Sequence, residues 1–137
     1  MGSVVDEARP LLLDTVAFIF WHGDNPRLSA RVRSALLESL RRPIYVSATT
    51  AFEISTKVRL GKLSVPAALL NDFAYVVESD GFRMLDLDAA TAMRAGQLPG
   101  DHRDPFDRLL AAQAIALGGA IVTNDAMFTA LGVEVFW

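Results

Sequence analysis

Asp14, Glu53, Asp107 and Asp125 are spread over most of a 137-residue chain, yet each falls beside the end of a strand-like run or the start of a helix-like one. Asp14 closes the apolar run Pro10-Leu11-Leu12-Leu13, and Asp125 closes Ala120-Ile121-Val122-Thr123-Asn124. Glu53 and Asp107 lie near the starts of amphipathic helical stretches. In an open parallel sheet, strand ends and helix N-termini share one edge, where ligands bind. Four acids distant in sequence would then meet in one place. Gathered carboxylates repel each other, so they take up protons or gather a divalent cation. A cation held in that way makes metal-dependent hydrolysis the first expectation.

The elements that must position these acids can be read in order. Residues 11–14 form a short strand, apolar throughout rather than alternating, as a buried parallel strand is. Residues 15–21 continue as an apolar helix, and Gly23-Asp24-Asn25-Pro26 is a turn. Residues 29–40 read as a helix with Val32, Leu36, Leu37 and Leu40 on one face, and 44–47 as a second strand. A helix over 49–60 ends at Gly61, as a C-terminal glycine should end it. A further helix covers 65–79 with Pro66 in its first turn, followed by a strand at 82–87. Asp88 caps a helix to Gln97, and Pro99-Gly100 breaks it. Residues 104–117 are the longest clean helix, stopped by Gly118-Gly119. A strand at 120–123, a short helix at 125–130 and a strand at 133–136 complete the chain. Alternating strands and helices predict an α/β domain with a largely parallel sheet covered on both faces.

Each acid also has a plain structural explanation. Asp104 can cap a helix whose first residue is Pro105, with Asp107 third, close to a capping box. Residues three apart share a helix face, so one of this pair can cap while the other points into a cleft. Thr50 stands three positions before Glu53, another possible capping box, and Lys57 four positions after it offers an ion pair of ~0.3–0.5 kcal/mol. Asp125 after a strand suits a helix cap. Asp14 is the most telling, because an acid directly after three leucines and before more apolar residues is poorly placed for water. Singly the signals are weak; four in order within one α/β domain are more specific.

Bulk properties narrow the chemistry. The length is that of one domain, and 52% hydrophobic with 21% charged residues is a globular composition. There is no cysteine, so a metal must be held by oxygen or by His22 and His102. A net charge of −3, from 13 Lys+Arg against 16 Asp+Glu, gives no global support to nucleic-acid binding. Basic residues do cluster locally, at Arg27, Arg31, Arg33, Arg41 and Arg42 and at Lys57, Arg59 and Lys62, although solvated helix faces explain most such patches. The start of the chain lacks the pattern of a signal peptide and no run approaches the ~18 apolar residues of a membrane span. A soluble cytoplasmic protein is the expectation.

The tracts Leu-Leu-Leu-Asp-Thr (11–15), Thr-Thr-Ala-Phe-Glu-Ile-Ser-Thr-Lys-Val-Arg-Leu-Gly-Lys-Leu (49–63), Asp-His-Arg-Asp-Pro-Phe-Asp-Arg-Leu-Leu-Ala-Ala-Gln-Ala (101–114) and Ile-Val-Thr-Asn-Asp (121–125) resemble the PIN-domain ribonucleases, and more narrowly the VapC-type toxins of bacterial toxin–antitoxin pairs. The likeness runs over 11–137, leaving 1–10 as an N-terminal extension. It implies a three-layer α/β/α fold with a mainly parallel central sheet and a carboxylate cluster binding Mg²⁺ or Mn²⁺. The family's acids carry over onto Asp14, Glu53, Asp107 and Asp125, with Asp104 as an extra acid beside the third. The implied activity is an endoribonuclease that hydrolyses RNA phosphodiesters with metal-activated water. Asp14 and Asp107 are the expected direct ligands; Glu53 and Asp125 bind directly or through water. Thr15, Thr123 and Asn124 are expected to hydrogen-bond the ligands. His102 is within reach of a phosphate, though a loop histidine is more often incidental. Implied partners are RNA, a VapB-type antitoxin that blocks the cleft, and a second copy of the chain in a homodimer through helices of its first half.

Three competing readings remain. A haloacid-dehalogenase-type phosphatase would resemble a strand followed by Asp-x-Asp, but Val16 occupies the second position. A response-regulator receiver would have an early acid pair and a late lysine, whereas Lys57 and Lys62 are the only lysines and lie mid-chain. A catalytically silent PIN-like module that binds RNA or protein is the third.

Overall fold

The computed structural model describes residues 9–137, so most of the 1–10 extension lies outside the described residues. Five strands form one all-parallel sheet: β1 (Leu11–Leu13), β2 (Ile44–Ser47), β3 (Arg83–Leu85), β4 (Ala120–Val122) and β5 (Val135–Phe136), in the order β3-β2-β1-β4-β5. Central β1 pairs Leu12 with Tyr45 on one side and with Ile121 on the other. All three β1 leucines are fully buried, as a strand covered on both faces requires.

Side-chain alternation along β1 divides the core in two. Leu11 and Leu13 face a cluster with Ile44, Val46, Ala120 and Val122. On that side lie α1 (Thr15–His22), α2 (Ala30–Leu36), α4 (Ala67–Asn71) and α5 (Phe73–Ser79), which contribute Phe18, Val32, Leu69 and Val77. Ile54 of α3 (Ala48–Arg59) joins the same cluster. Leu12 and Ile121 face Leu110, Ala111 and Ala114 of α7 (Pro105–Ala116), with Phe128 and Leu131 of a 3₁₀ helix (Ala126–Leu131). Leu98, just after α6 (Ala89–Gln97), packs against this second cluster. The result is the three-layer α/β/α arrangement expected from the sequence.

Several local expectations are corrected. The helix expected over 29–40 ends at Leu36, and Leu37 and Leu40 are exposed rather than part of the apolar face. Tight bonds from Glu38 N to Ala35 O and from Arg41 N to Glu38 O turn the chain, and Pro43 bars the preceding residue from helical geometry. The single helix expected over 65–79 is two, broken where Asp72 takes φ −149° and ψ 62°. The strands expected at 82–87 and 133–136 shorten to β3 and β5, while the short helix expected after Asp125 is present as a 3₁₀ helix.

Two glycines join α7 to β4. Gly118 takes φ +66°, the left-handed conformation that ends a helix. Gly119 passes so close to the Pro10 carbonyl that a Cβ would lie 2.3 Å from its oxygen. That approach lets Ala120 N donate to Pro10 O at 3.1 Å and brings β4 beside β1.

Candidate active site

The order β3-β2-β1-β4-β5 reverses direction between β1 and β4, and in open α/β sheets ligands bind outside the strand carboxyl ends at such a switch point. Asp14 follows β1 there, and Thr123, Asn124 and Asp125 follow β4. The amide of Asp14 donates to the Val122 carbonyl at 3.0 Å, which ties the two strand ends together. Helices α3 and α7 bring Glu53, Asp104 and Asp107 to the same edge. A cleft of about 440 Å³ is lined by Asp14, Val16, Glu53, Lys57, Asp104, Asp107, Asn124, Asp125 and Phe128. All five acids singled out in the sequence thus line one cavity.

The caps suggested at Asp104 and Asp125 are present, Asp14 adds a third, and the box suggested at Thr50 and Glu53 is absent. Asp14 is itself an N-cap, its Oδ1 accepting from Ala17 N at 2.6 Å. Asp104 caps α7 by accepting from Phe106 N at 2.9 Å and Asp107 N at 3.2 Å. Asp125 caps the 3₁₀ helix through Met127 N at 2.9 Å. Glu53 belongs to no capping box, because Ser47 caps α3 and Glu53 lies further along it. Asp107 stands in the first turn of α7, but its carboxylate turns to His102, with Nε2 to Oδ2 at 2.6 Å.

Burial and charge set the ionisation of the cleft. Asp14 is 6% exposed, and its carboxyl is pushed up from 3.8 to about 6, mainly by burial. Hydrogen bonds from Thr123 and Ala17 pull it back, and the charges of Asp107 and Glu53 push it further up. The Asp107 carboxyl is also raised, first by burial and also by Asp104 and Glu53, against the lowering effect of His102. Glu53 is 5% exposed. Its Oε1 accepts from Thr15 Oγ1 at 2.6 Å and its Oε2 is ion-paired with Lys57. Thr15 also hydrogen-bonds Thr50 at 3.1 Å, and Thr123 Oγ1 accepts from Asp125 N at 3.0 Å. Thr15 and Thr123 therefore contact the acids, while Asn124 lines the cleft beside them.

Carboxylate oxygens with little compensating charge suit a hard divalent cation, which takes oxygen ligands. Among the described residues, one ligand atom each from His102, Asp107 and Asp125 lie within 4.8 Å of one another. Asp14 and Glu53 line the same cleft as Asp107 and Asp125. His102 and Lys57, which contact Asp107 and Glu53, are harder to read from the sequence. The first sits in a loop, where spacing gives no helical face to read. The second shows its i,i+4 relation to Glu53, but not that the partner is buried.

The PIN domain family model matches residues 11–134. The chain belongs to the PIN domain family. No curated protein sequence matches it. Among solved structures, this PIN domain is similar to FitAB bound to an IR36 DNA fragment, at 25% identity over 92% of this chain and 93% of that one, TM-score 0.63. It is also similar to VapBC2 from Rickettsia felis bound to a promoter DNA fragment, at 19% identity over 93% and 97%, TM-score 0.70. A third is VapC20 from Mycobacterium tuberculosis, a sarcin-ricin-loop-cleaving toxin, at 18% identity over 90% and 95%, TM-score 0.57. Among the described residues of this PIN domain, no helix is long and apolar enough to cross a membrane.

Proposed function

We propose that this PIN domain is a metal-dependent endoribonuclease and the VapC-type toxin of a toxin–antitoxin pair, with residues 11–137 as its catalytic unit. The observation that carries the reading is the meeting of Asp14, Glu53, Asp107 and Asp125 in one cleft at the switch point of the sheet. Asp14 and Asp107 are the direct ligands of Mg²⁺ or Mn²⁺, since burial and mutual repulsion give both most to gain from a cation. Asp125 adds a ligand oxygen, and Glu53 acts directly or through water. Asp104 serves first as the cap that starts α7 and sets the position of Asp107. Thr15 and Thr123 orient Glu53 and Asp14 through their hydroxyls.

A divalent cation bound there supplies positive charge to the scissile phosphate and activates water for attack. The chain's part is to hold the carboxylates in register, keep Asp14 from bulk water, and admit a phosphodiester through the open side of the cleft. Among the described residues, no Ser–His or Cys–His pair offers a nucleophile, so direct hydrolysis is the reaction. Likeness to FitAB and VapBC2, each a two-component assembly by name, supports an antitoxin partner; a homodimer and a cytoplasmic place of action go with the toxin reading.

Cleavage of single-stranded or looped RNA should vanish in EDTA and return with Mg²⁺ or Mn²⁺. Asp14→Asn and Asp107→Asn should each abolish it, with circular dichroism unchanged. Activity that survives chelation or both substitutions would overturn the reading. Capping by Asp14, Asp104 and Asp125 favours a second reading, a silent PIN-like module whose acids are structural. It predicts RNA or protein binding with no cleavage under any metal.

A further inference from the structure

We propose that Lys57 competes with the divalent cation for Glu53 and, when displaced, binds a phosphate of the substrate. The proposal rests on the metal-dependent nuclease reading and assigns a role to a residue that the acid cluster alone leaves unexplained.

Glu53 has two carboxylate oxygens, and each has a partner. Oε1 accepts from the buried hydroxyl of Thr15 at 2.6 Å. Oε2 is held by the Lys57 ammonium, four residues on along α3. A cation that takes Glu53 must therefore share or displace one of these contacts. The threonine is the harder one to move, because Thr15 and Thr50 are buried at 3% and 0% exposure and hydrogen-bonded to each other. Lys57 is the easier. Its side chain is 41% exposed, against 6% for that of Glu53, and four rotatable carbons carry its compact charge. The ion pair is lopsided: a buried anion whose cation reaches it from the solvent side.

Lys57 also lines the cleft with Asp14, Asp107 and Asp125. An ammonium freed from Glu53 stays at the rim where a phosphodiester must pass, and among the described residues Lys57 is the one lysine or arginine lining that cavity. Several acids and one lysine there would repel RNA. With a divalent cation on the acids and Lys57 turned outward, the same surface attracts it. Metal and RNA binding are thus coupled through one side chain, and removing its charge should move the two affinities in opposite directions.

The test compares wild type, Lys57→Met and Lys57→Arg in the full chain. Mn²⁺ affinity is read by calorimetry without RNA. RNA affinity is read with a hydrolysis-resistant phosphorothioate oligonucleotide at saturating Mn²⁺ and several salt concentrations. Lys57→Met should bind Mn²⁺ roughly three- to tenfold tighter, the scale of a half-exposed ion pair. It should bind the oligonucleotide more weakly, with the slope of log K against log salt smaller by about 0.7, as expected for one lost phosphate contact on a single strand. Lys57→Arg should restore the salt slope. Unchanged or weaker Mn²⁺ binding in Lys57→Met, or an unchanged salt slope, overturns the proposal while leaving the nuclease reading intact. A wild type that binds no divalent cation overturns both.

Discussion

Asp14 holds its carboxylate where little water reaches it, with one oxygen committed to the amide of Ala17. Burial raises its pKa from 3.8 to about 6, so without metal the folded protein binds a proton there more tightly than the unfolded chain does. The associated stability is fully present below the unfolded value of 3.8 and is lost as pH rises through about 6. The whole span is worth about 3 kcal/mol. Asp107 is raised as well and adds to the effect with the same sign. Asp14→Asn keeps an acceptor for the cap and removes the charge. In EDTA at about pH 7.5 it should therefore be more stable than wild type, and the gap should narrow towards about pH 5. Urea melts at the two pH values check this; a variant less stable than wild type at the higher pH would mean that the carboxylate is not strained by burial. Asp125→Asn should change little, because Asn caps a helix about as well as Asp.

Helix α7 shows how capping and site-building divide between neighbouring residues. Asp104 accepts from two amides at the helix start, Pro105 occupies the first position, and Asp107 is left to face the cleft and His102. Asp104→Ala should lose about 1 kcal/mol, equally with and without Mg²⁺, in chemical denaturation. A loss seen only with Mg²⁺ would make Asp104 a ligand instead. The sequence made this element legible because cap, proline and stop glycines are local signals. The same holds for β1 and β4, whose unbroken apolar runs allow no exposed face. Other elements depended on contacts that spacing cannot carry. The break at Asp72 and the early end of α2 at Leu36 follow from how the chain packs and turns, although Leu37 and Leu40 fit a helical period. Gln113 is a further case. Its buried amide accepts from Ser47 at 2.5 Å and donates to the Asp86 carbonyl at 3.3 Å, joining α7 to the ends of β2 and β3. Nothing near it in sequence announces those partners. Gly119 belongs to the local stop signal of α7, yet it also makes the close approach to Pro10. Gly119→Ala should cost about 1–3 kcal/mol, as overpacking does, and a thermal melt within error of wild type would show that the Pro10 segment yields freely.

The whole molecule carries a net charge of −3, and five of its acids line the one cleft at the switch point of the sheet. That the four acids would meet in one cleft was legible because the α/β alternation places strand ends together, whereas the contact of His102 with Asp107 and the burial of Lys57's partner were not, since both depend on side-chain direction. If the cleft binds a divalent cation only in the folded state, the cation should stabilise the entire fold. That gain is about 2.7 kcal/mol at a hundred times Kd, or a rise in Tm of about 10 °C for a domain of this size. General screening of a negative protein would also raise Tm, so the comparison must be with NaCl at equal ionic strength. Site binding predicts that Mg²⁺ or Mn²⁺ exceeds NaCl at neutral pH, and that the excess disappears in Asp14→Asn and Asp107→Asn. It also predicts a pH dependence with a fixed sign. Cation binding requires ionised Asp14, so the excess should shrink as pH falls through about 6, the value at which that carboxyl takes up its proton. Scanning calorimetry across that range would detect it, and an excess that grows on acidification would exclude Asp14 as a ligand.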